Sequence, residues 1–236
     1  MVIVANGDSP LSLTFKSARY GTASGAFAAD DLAVRLGDAK QLTTLDIAAI
    51  NGIYKDGSAA GGFSGAAGQI GNVPLLLSEI GGNWAFAGQA LTIKGGLRVA
   101  DAAKSPRYLP LISDDVALNL ASNRITATGT LREPFSKTAI SNVTITHNLT
   151  RSTGRAILDV PGLTFGQALQ PERLTGVTLG VIANVQGSIA GRGEINWTEG
   201  GVTSTGAESR RVGINPPSAS RRALRYCMSS LSRGGL

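Results

Sequence analysis

Apolar and polar residues alternate with a period of two through most of this chain. Leu11, Leu13 and Phe15 alternate with Ser12 and Thr14, and Leu32, Val34 and Leu36 with Ala33 and Arg35. Leu91, Ile93, Leu97 and Val99 share one parity, with Thr92, Lys94 and Arg98 on the other. Val116, Leu118 and Leu120 repeat the pattern, and Ile125, Ala127, Gly129 and Leu131 oppose Thr126, Thr128 and Thr130. Val143, Ile145 and Leu149 face away from Thr144, Thr146 and Asn148, and Ile189, Ile195 and Trp197 oppose Arg192, Glu194 and Asn196. Successive strand residues point to opposite faces, so such runs predict strands that are apolar on one side and wet on the other. One-sided alternation of this kind belongs to antiparallel sheets.

Turn formers separate the runs: Lys55-Asp56-Gly57, Gly81-Gly82-Asn83, Ser122-Asn123 and Glu199-Gly200-Gly201. Roughly a dozen strands result, at the spacing of all-β folds. Residues 57–71, rich in Gly and Ala, read either as a weakly packed strand or as a loop. One stretch reads otherwise. Gln170-Pro171-Glu172 places Pro at a first helical position with an acid behind it, and Leu174, Val177 and Ile182 complete a short helix after residue 169 or one apolar plug. No fixed-period repeat of the solenoid kind is present.

Composition agrees with strands. Charged residues are only 16% and aromatics 5%, against 31 Gly, which suits short strands and tight turns better than helical bundles. The net charge of +6 is local. Residues 207–236 hold six Arg, one Glu and no Lys, which leaves 16 basic and 15 acidic residues in 1–206. A nearly neutral body makes a basic nucleic-acid-binding domain a poor reading. Within 207–236 the alternation stops, Pro216-Pro217 appears, and Arg pairs stand at 210–211 and 221–222. This segment reads as a disordered basic tail or as a stretch translated in the wrong frame. Cys227, the only cysteine, lies in it, so no intrachain disulfide and no cysteine metal site can form. No signal peptide opens the chain, and no apolar run approaches the ~18 residues of a spanning helix.

Catalytic chemistry has little to stand on. His147 is the only histidine, and no G-x-S-x-G elbow is present. His147 shares the parity of Val143 and Ile145, so it reads as a satisfied structural histidine, with a pH-switched charge as its functional alternative. The carboxylates are dispersed apart from Asp30-Asp31 and Asp114-Asp115, which turn or edge positions would accommodate; adjacent strand residues point apart, so neither pair forms an acid/base site. Gly191-x-Gly193 is no dinucleotide fingerprint. The expectation is no enzyme, no metal and no cofactor.

A set of motifs from Trp84 to about Gly206 does carry a resemblance. They are Trp84-Ala-Phe-Ala-Gly88, Leu97-Arg-Val-Ala-Asp101, Pro106-Arg-Tyr-Leu-Pro-Leu111, Ile125-Thr-Ala-Thr-Gly129 and His147. The strongest block is Leu158-Asp-Val-Pro-Gly-Leu-Thr-Phe165 running into Leu169-Gln-Pro-Glu-Arg-Leu174. It continues through Gly180-Val-Ile-Ala183, Gly187 and Gly191 to Ile195-Asn-Trp197 and Gly201-Val-Thr-Ser204. Together they resemble the YdbH family, also known by a dicarboxylate-transport domain name, a relative of the AsmA- and TamB-like bridge proteins of Gram-negative bacteria.

The resemblance implies a mainly β fold: a long, curved antiparallel sheet forming an open, taco-like groove. It implies an inner-membrane-anchored, periplasm-spanning protein along whose apolar interior phospholipid moves to the outer membrane, with an outer-membrane or lipoprotein partner. The family's N-terminal anchor is not in this sequence, so the chain reads as an internal fragment. Its organisation reads as a β-rich part over 1–83, a YdbH-like region over 84–206 and the tail over 207–236. The groove lining expected from parity is Leu91, Ile93, Leu97, Val99, Val116, Leu118, Leu120, Ile125, Ala127, Val143, Ile145, Leu149, Ile189 and Ile195. The same alternation also describes a structural sandwich or solenoid whose apolar face is its own core. A dicarboxylate-binding module is the third reading, and it would need clustered Arg or Lys that the body lacks.

Overall fold

The computed structural model describes residues 2–6, 9–36, 42–70, 73–151, 153–176, 185–198, 201–207 and 211–212. The strands are β1 (Val2–Asn6), β2 (Ser9–Thr14), β3 (Ser17–Tyr20), β4 (Ala26–Leu36), β5 (Thr43–Lys55), β6 (Ser58–Gln69), β7 (Leu75–Ala87) and β8 (Ala90–Asp101). They continue as β9 (Leu111–Ala121), β10 (Arg124–Arg132), β11 (Ala139–Asn148), β12 (Thr153–Phe165), β13 (Gly187–Thr198), β14 (Gly201–Ala207) and β15 (Arg211–Val212). All join one antiparallel sheet in the order β1-β2-β4-β5-β6-β7-β8-β9-β10-β11-β12-β13-β14, with β3 beside β4 and β15 beside β13. Thirteen strands at about 4.8 Å spacing make the sheet on the order of 58 Å wide.

The sheet is open and curved. Its two ends do not pair with each other among the described residues, and its close contacts run between sheet neighbours rather than to a second layer. Curvature has a visible cause. In β4 the apolar parity passes from Phe27 and Ala29 to Leu32 and Val34, and Asp31, at the switch, has φ 51°. Ala48 of β5 and Gly65 of β6 (φ 64°) stand level with it. The line runs on through Glu79 of β7 (φ 52°), Asp114-Asp115 of β9, Ile140 of β11 and Pro161-Gly162 of β12, each where the register shifts. β8, β10 and β13 cross the line without an extra residue. A bulge bends its strand and tightens the local twist, so a row of bulges folds the sheet at one level into a trough. The two Asp pairs therefore belong to this bend line and not to turns or edges. Asp115 accepts from the Thr130 amide at 2.7 Å and from Ser113 Oγ at 3.0 Å.

The trough has two unlike rims. On one, two-residue turns join β5 to β6 (Asp56 φ 50°, Gly57 φ 79°), β7 to β8 (Gly88 φ 56°, Gln89 φ 66°) and β9 to β10 (Ser122 φ 49°, Asn123 φ 58°). Left-handed geometry at both central residues matches the twist of paired strands. On the other rim, longer connections leave β6, β8, β10 and β12.

Several sequence expectations change. Gly81-Gly82-Asn83 is not a turn but lies inside β7, whose turn is Gly88-Gln89. Residues 58–69 form strand β6. The short helix after residue 169 is a single 3-10 turn, Pro171–Arg173, and Leu174 beyond it packs against Leu163, Phe165 and Leu169. Val177 and Ile182, like Glu199-Gly200 and most of 207–236, lie outside the described residues. The sheet runs without a break through Asn83 and Trp84 in β7. Among the described residues no helix is long and apolar enough to cross a membrane.

A glycine in β5 makes room for two aromatic rings laid on the sheet. A Cβ on Gly52 would stand 2.7 Å from Trp84 Cζ2 and 2.8 Å from Phe27 Cζ, and Trp84 Nε1–H donates to the Asn51 carbonyl at 3.2 Å. Gly52→Val should cost about 2–3 kcal/mol by overpacking, read as a lower urea midpoint at unchanged slope. An unchanged midpoint would mean that both rings can move aside freely.

Candidate functional site: the apolar face of the trough

Opposed residues of an antiparallel pair share a face, so register alone assembles the apolar rows. Nearest the tight-turn rim run Phe86, Leu91, Leu120, Ile125, His147, Gly154, Trp197 and Val202, each opposite the next. One step deeper run Trp84, Ile93, Leu118, Ala127, Ile145, Ala156 and Ile195. The third row holds Gly95 and Val116, then Gly129, Val143, Leu158 and Gly193. Beyond the bend line Leu77, Val99 and Leu111 align, Leu97 opposes Ser113, and Leu163 opposes Ile189. The opposite face is polar, with Thr92, Asn119, Thr126, Thr146, Arg155 and Asn196 in one row.

Thirteen of the fourteen parity-selected residues thus stand on one face. Leu149 does not, because β11 ends at Asn148 and Leu149 sits in the following turn, 44% exposed. Its amide still donates to the Asn123 carbonyl at 2.8 Å, the next step of the β10–β11 register.

Burial distinguishes the faces. Along β10 and β11, Ile125, Ala127, Val143, Ile145 and His147 are half-buried, while Arg124, Thr126, Thr128, Asn142, Thr144 and Thr146 are exposed. The apolar side chains are crowded as on the inner face of a bend, yet not sealed. Among the described residues only Ile47, Ala66, Leu163, Phe165 and Leu169 are buried hydrophobics. An ordinary sandwich of this size would bury many more.

His147 is satisfied within the apolar face. Its Nδ1 accepts from Trp197 Nε1–H at 3.1 Å, and the two rings stack with centroids 6.0 Å apart. Trp197 can lie there because residue 154 is glycine; a Cβ would stand 2.1 Å from Trp197 Cζ2.

Three of the buried hydrophobics mark a strap that the parity reading missed. Leu163 and Phe165 on the apolar face pack under Leu169, with Leu174, Val185, Ile140 and Ile189 around them. Gln170 fastens the base: Nε2 donates to the carbonyls of Gly166 and Val185, and Oε1 accepts from the Val185 amide. The strap then reaches the β8–β9 connection, where Leu109 N donates to Leu174 O at 2.7 Å and Thr175 Oγ1 to Arg107 O at 2.8 Å. On the way Arg173 lies 3.9 Å from Glu133 and over the Phe135 ring at 5.6 Å.

Two buried carboxylates hold these loops. Asp101 takes Arg107 Nε at 2.8 Å and the amides of Arg107 and Ala103. The Arg107 guanidinium, helped by those amides, overcomes burial and holds the Asp101 carboxyl well below the usual carboxylate range. At Glu133 burial pushes the carboxyl pKa up, but hydrogen bonds from the Ser136 and Phe135 amides outweigh it and hold the group below its usual range. Among the described residues no group of His, Cys, Asp or Glu is arranged to hold a metal ion.

The family model of the YdbH-like proteins, described as intermembrane phospholipid transport protein YdbH, matches residues 5–208. The chain belongs to the YdbH-like family. The match takes in the N-terminal strands as well as the motifs that begin at Trp84. No curated protein and no solved structure matches the chain. The family is one of lipid transport and not of known enzymes.

The strap of this YdbH-like chain should be acid-sensitive. Asp101 in the folded chain binds its proton at lower pH than in the unfolded chain, so its stabilisation is present above about pH 4 and lost as pH falls below that. Glu133 acts in the same direction. Asp101→Asn should lower stability at neutral pH by about 1–2 kcal/mol and flatten the fall in melting temperature below about pH 4. An acid limb as steep as wild type would place the sensitive group elsewhere.

Proposed function

We propose that the trough is a phospholipid conduit, a segment of an AsmA-like, YdbH-type bridge that carries lipid between the inner and outer membranes. The observation that carries this reading is a continuous apolar face, in register from β7 to β13, that no second sheet covers among the described residues. The family's description supplies the class of cargo. On this reading the chain works in the periplasm as part of a longer, inner-membrane-anchored protein that meets an outer-membrane or lipoprotein partner.

The physical need is clear. A phospholipid has ~30 methylenes, each costing about 0.8 kcal/mol in water, so unassisted passage faces on the order of 20 kcal/mol. A trough of half-buried Leu, Ile, Val and Ala removes much of that cost without selecting a position along it. A lining of aliphatic side chains, with His147 the one ionisable group in its outer row, favours sliding over tight binding. Sealed-core readings, sandwich or solenoid, would leave the same residues dry under a second layer. A dicarboxylate module would need free convergent cations, whereas Arg107, Arg132 and Arg173 each face a carboxylate.

The test is mass spectrometry of lipids extracted from the purified chain, beside Leu118→Asp and Ile145→Asp. Near-stoichiometric phospholipid is expected on the wild type. Both variants should keep the β circular dichroism and lose the lipid, because a carboxylate on an open face stays hydrated but spoils the apolar path. Variants that unfold would assign the face to a closed core. Folded variants with unchanged lipid would remove these two residues from the path.

A further inference from the structure

We propose that the trough holds its phospholipid in one orientation, acyl ends toward the strap-covered rim and glycerophosphate at the tight-turn rim beside His147 and Trp197. This rests on the conduit reading above. The strapped rim suits chain ends and opposes a phosphate. Leu163 and Phe165 lie dry beneath Leu169, and the carboxylates Asp101 and Glu133 are buried there as anions. Their guanidinium partners are already engaged.

The other rim has the opposite character. Its connections are short, two residues at three of them and four between β11 and β12, and Phe86 and Val202 in the outermost row are 42% and 52% exposed. That row contains a polar device. Because Nδ1 of His147 accepts the Trp197 proton, a neutral ring carries its own proton on Nε2. Nε2 has no partner among the described residues, and His147 is the one ionisable side chain in its row from β7 to β13. It is a donor available to an ester or phosphate oxygen, set by a ring whose indole belongs at a polar–apolar boundary. Dimensions agree. From His147 along β11 to Ser141 at the bend is about 20 Å at ~3.3 Å per residue, room for tails that occupy about 15 Å in one leaflet.

The test uses tryptophan fluorescence of the chain loaded from vesicles of phosphatidylethanolamine brominated near either the glycerol end or the methyl end of its acyl chain. Bromine quenches on contact, and both tryptophans lie in the two rows nearest the tight-turn rim. At equal lipid retention the glycerol-end bromine should quench more strongly, in the wild type and in Trp84→Phe, which reports Trp197 alone. His147→Phe, which keeps a ring on Trp197 but has no donor, should weaken retention about tenfold, and His147→Gln should restore most of it. Stronger or equal quenching by the methyl-end bromine overturns the orientation, as does retained lipid that quenches neither tryptophan. Displacement of the lipid by inorganic phosphate would make His147 a simple anion site and also overturn it. Failure to retain any lipid would strike the conduit reading itself.

Discussion

The antiparallel ladder of backbone hydrogen bonds is the interaction on which the rest of this molecule depends. In a two-layer protein, side chains from facing layers seal a core and the ladder is one contribution among several. Here the strands touch chiefly their sheet neighbours, and few hydrophobic side chains are fully buried. Order must therefore come from pairing each strand with two others and from cross-strand side-chain contacts on one face. Register is unusually consequential in such a sheet. A slip of one residue would turn an apolar row outward and a Thr/Asn row inward along the whole trough.

The bend line shows how the ladder tolerates curvature. Irregularities lie at one level in seven of the ten strands from β4 to β13, with the extra residues of the register shifts in β6, β7, β9, β11 and β12, and left-handed residues such as Asp31, Gly65 and Glu79 absorb the local twist. Polar residues at these points keep their own partners: Asp115 ties the bend in β9 to β10, and Arg132 faces Asp114 across it. The same geometry gives the apolar face its half-buried state. Side chains on the inside of a bend crowd one another without needing a second layer, and they stay accessible to a ligand that enters from the open rim.

The rims then separate two kinds of chemistry. Tight turns leave one side of the trough uncovered, while the longer connections on the other side fold together through Asp101, Glu133, Gln170 and Arg173. An ionised carboxylate is costly to bury alone; at Asp101 and Glu133 backbone amides and guanidinium groups offset that cost, which is why both can serve as fasteners in an otherwise apolar setting.

Parity in the sequence was enough to assign β8 to β11 and β13 and to choose thirteen of the residues on the shared face, because side-chain direction in a strand is a local property. The alternation runs on to Leu149, one residue past the end of β11, where the amide still pairs with the Asn123 carbonyl. The local pattern reads Gly81-Gly82-Asn83 as a turn, although glycine there serves close strand approach. The Pro171 signal was real but yielded a 3-10 turn, since the segment is held by Gln170 and by β8–β9 rather than by its own ladder. The sequence by itself determined that one face is apolar, that the body is nearly neutral, and that catalytic groups do not cluster along it. Only the tertiary structure decided that the irregularities align into one bend, that among the described residues no second sheet closes the trough, and that a strap covers one rim. Those features depend on which residues meet across strands far apart in sequence, and local alternation carries no record of that.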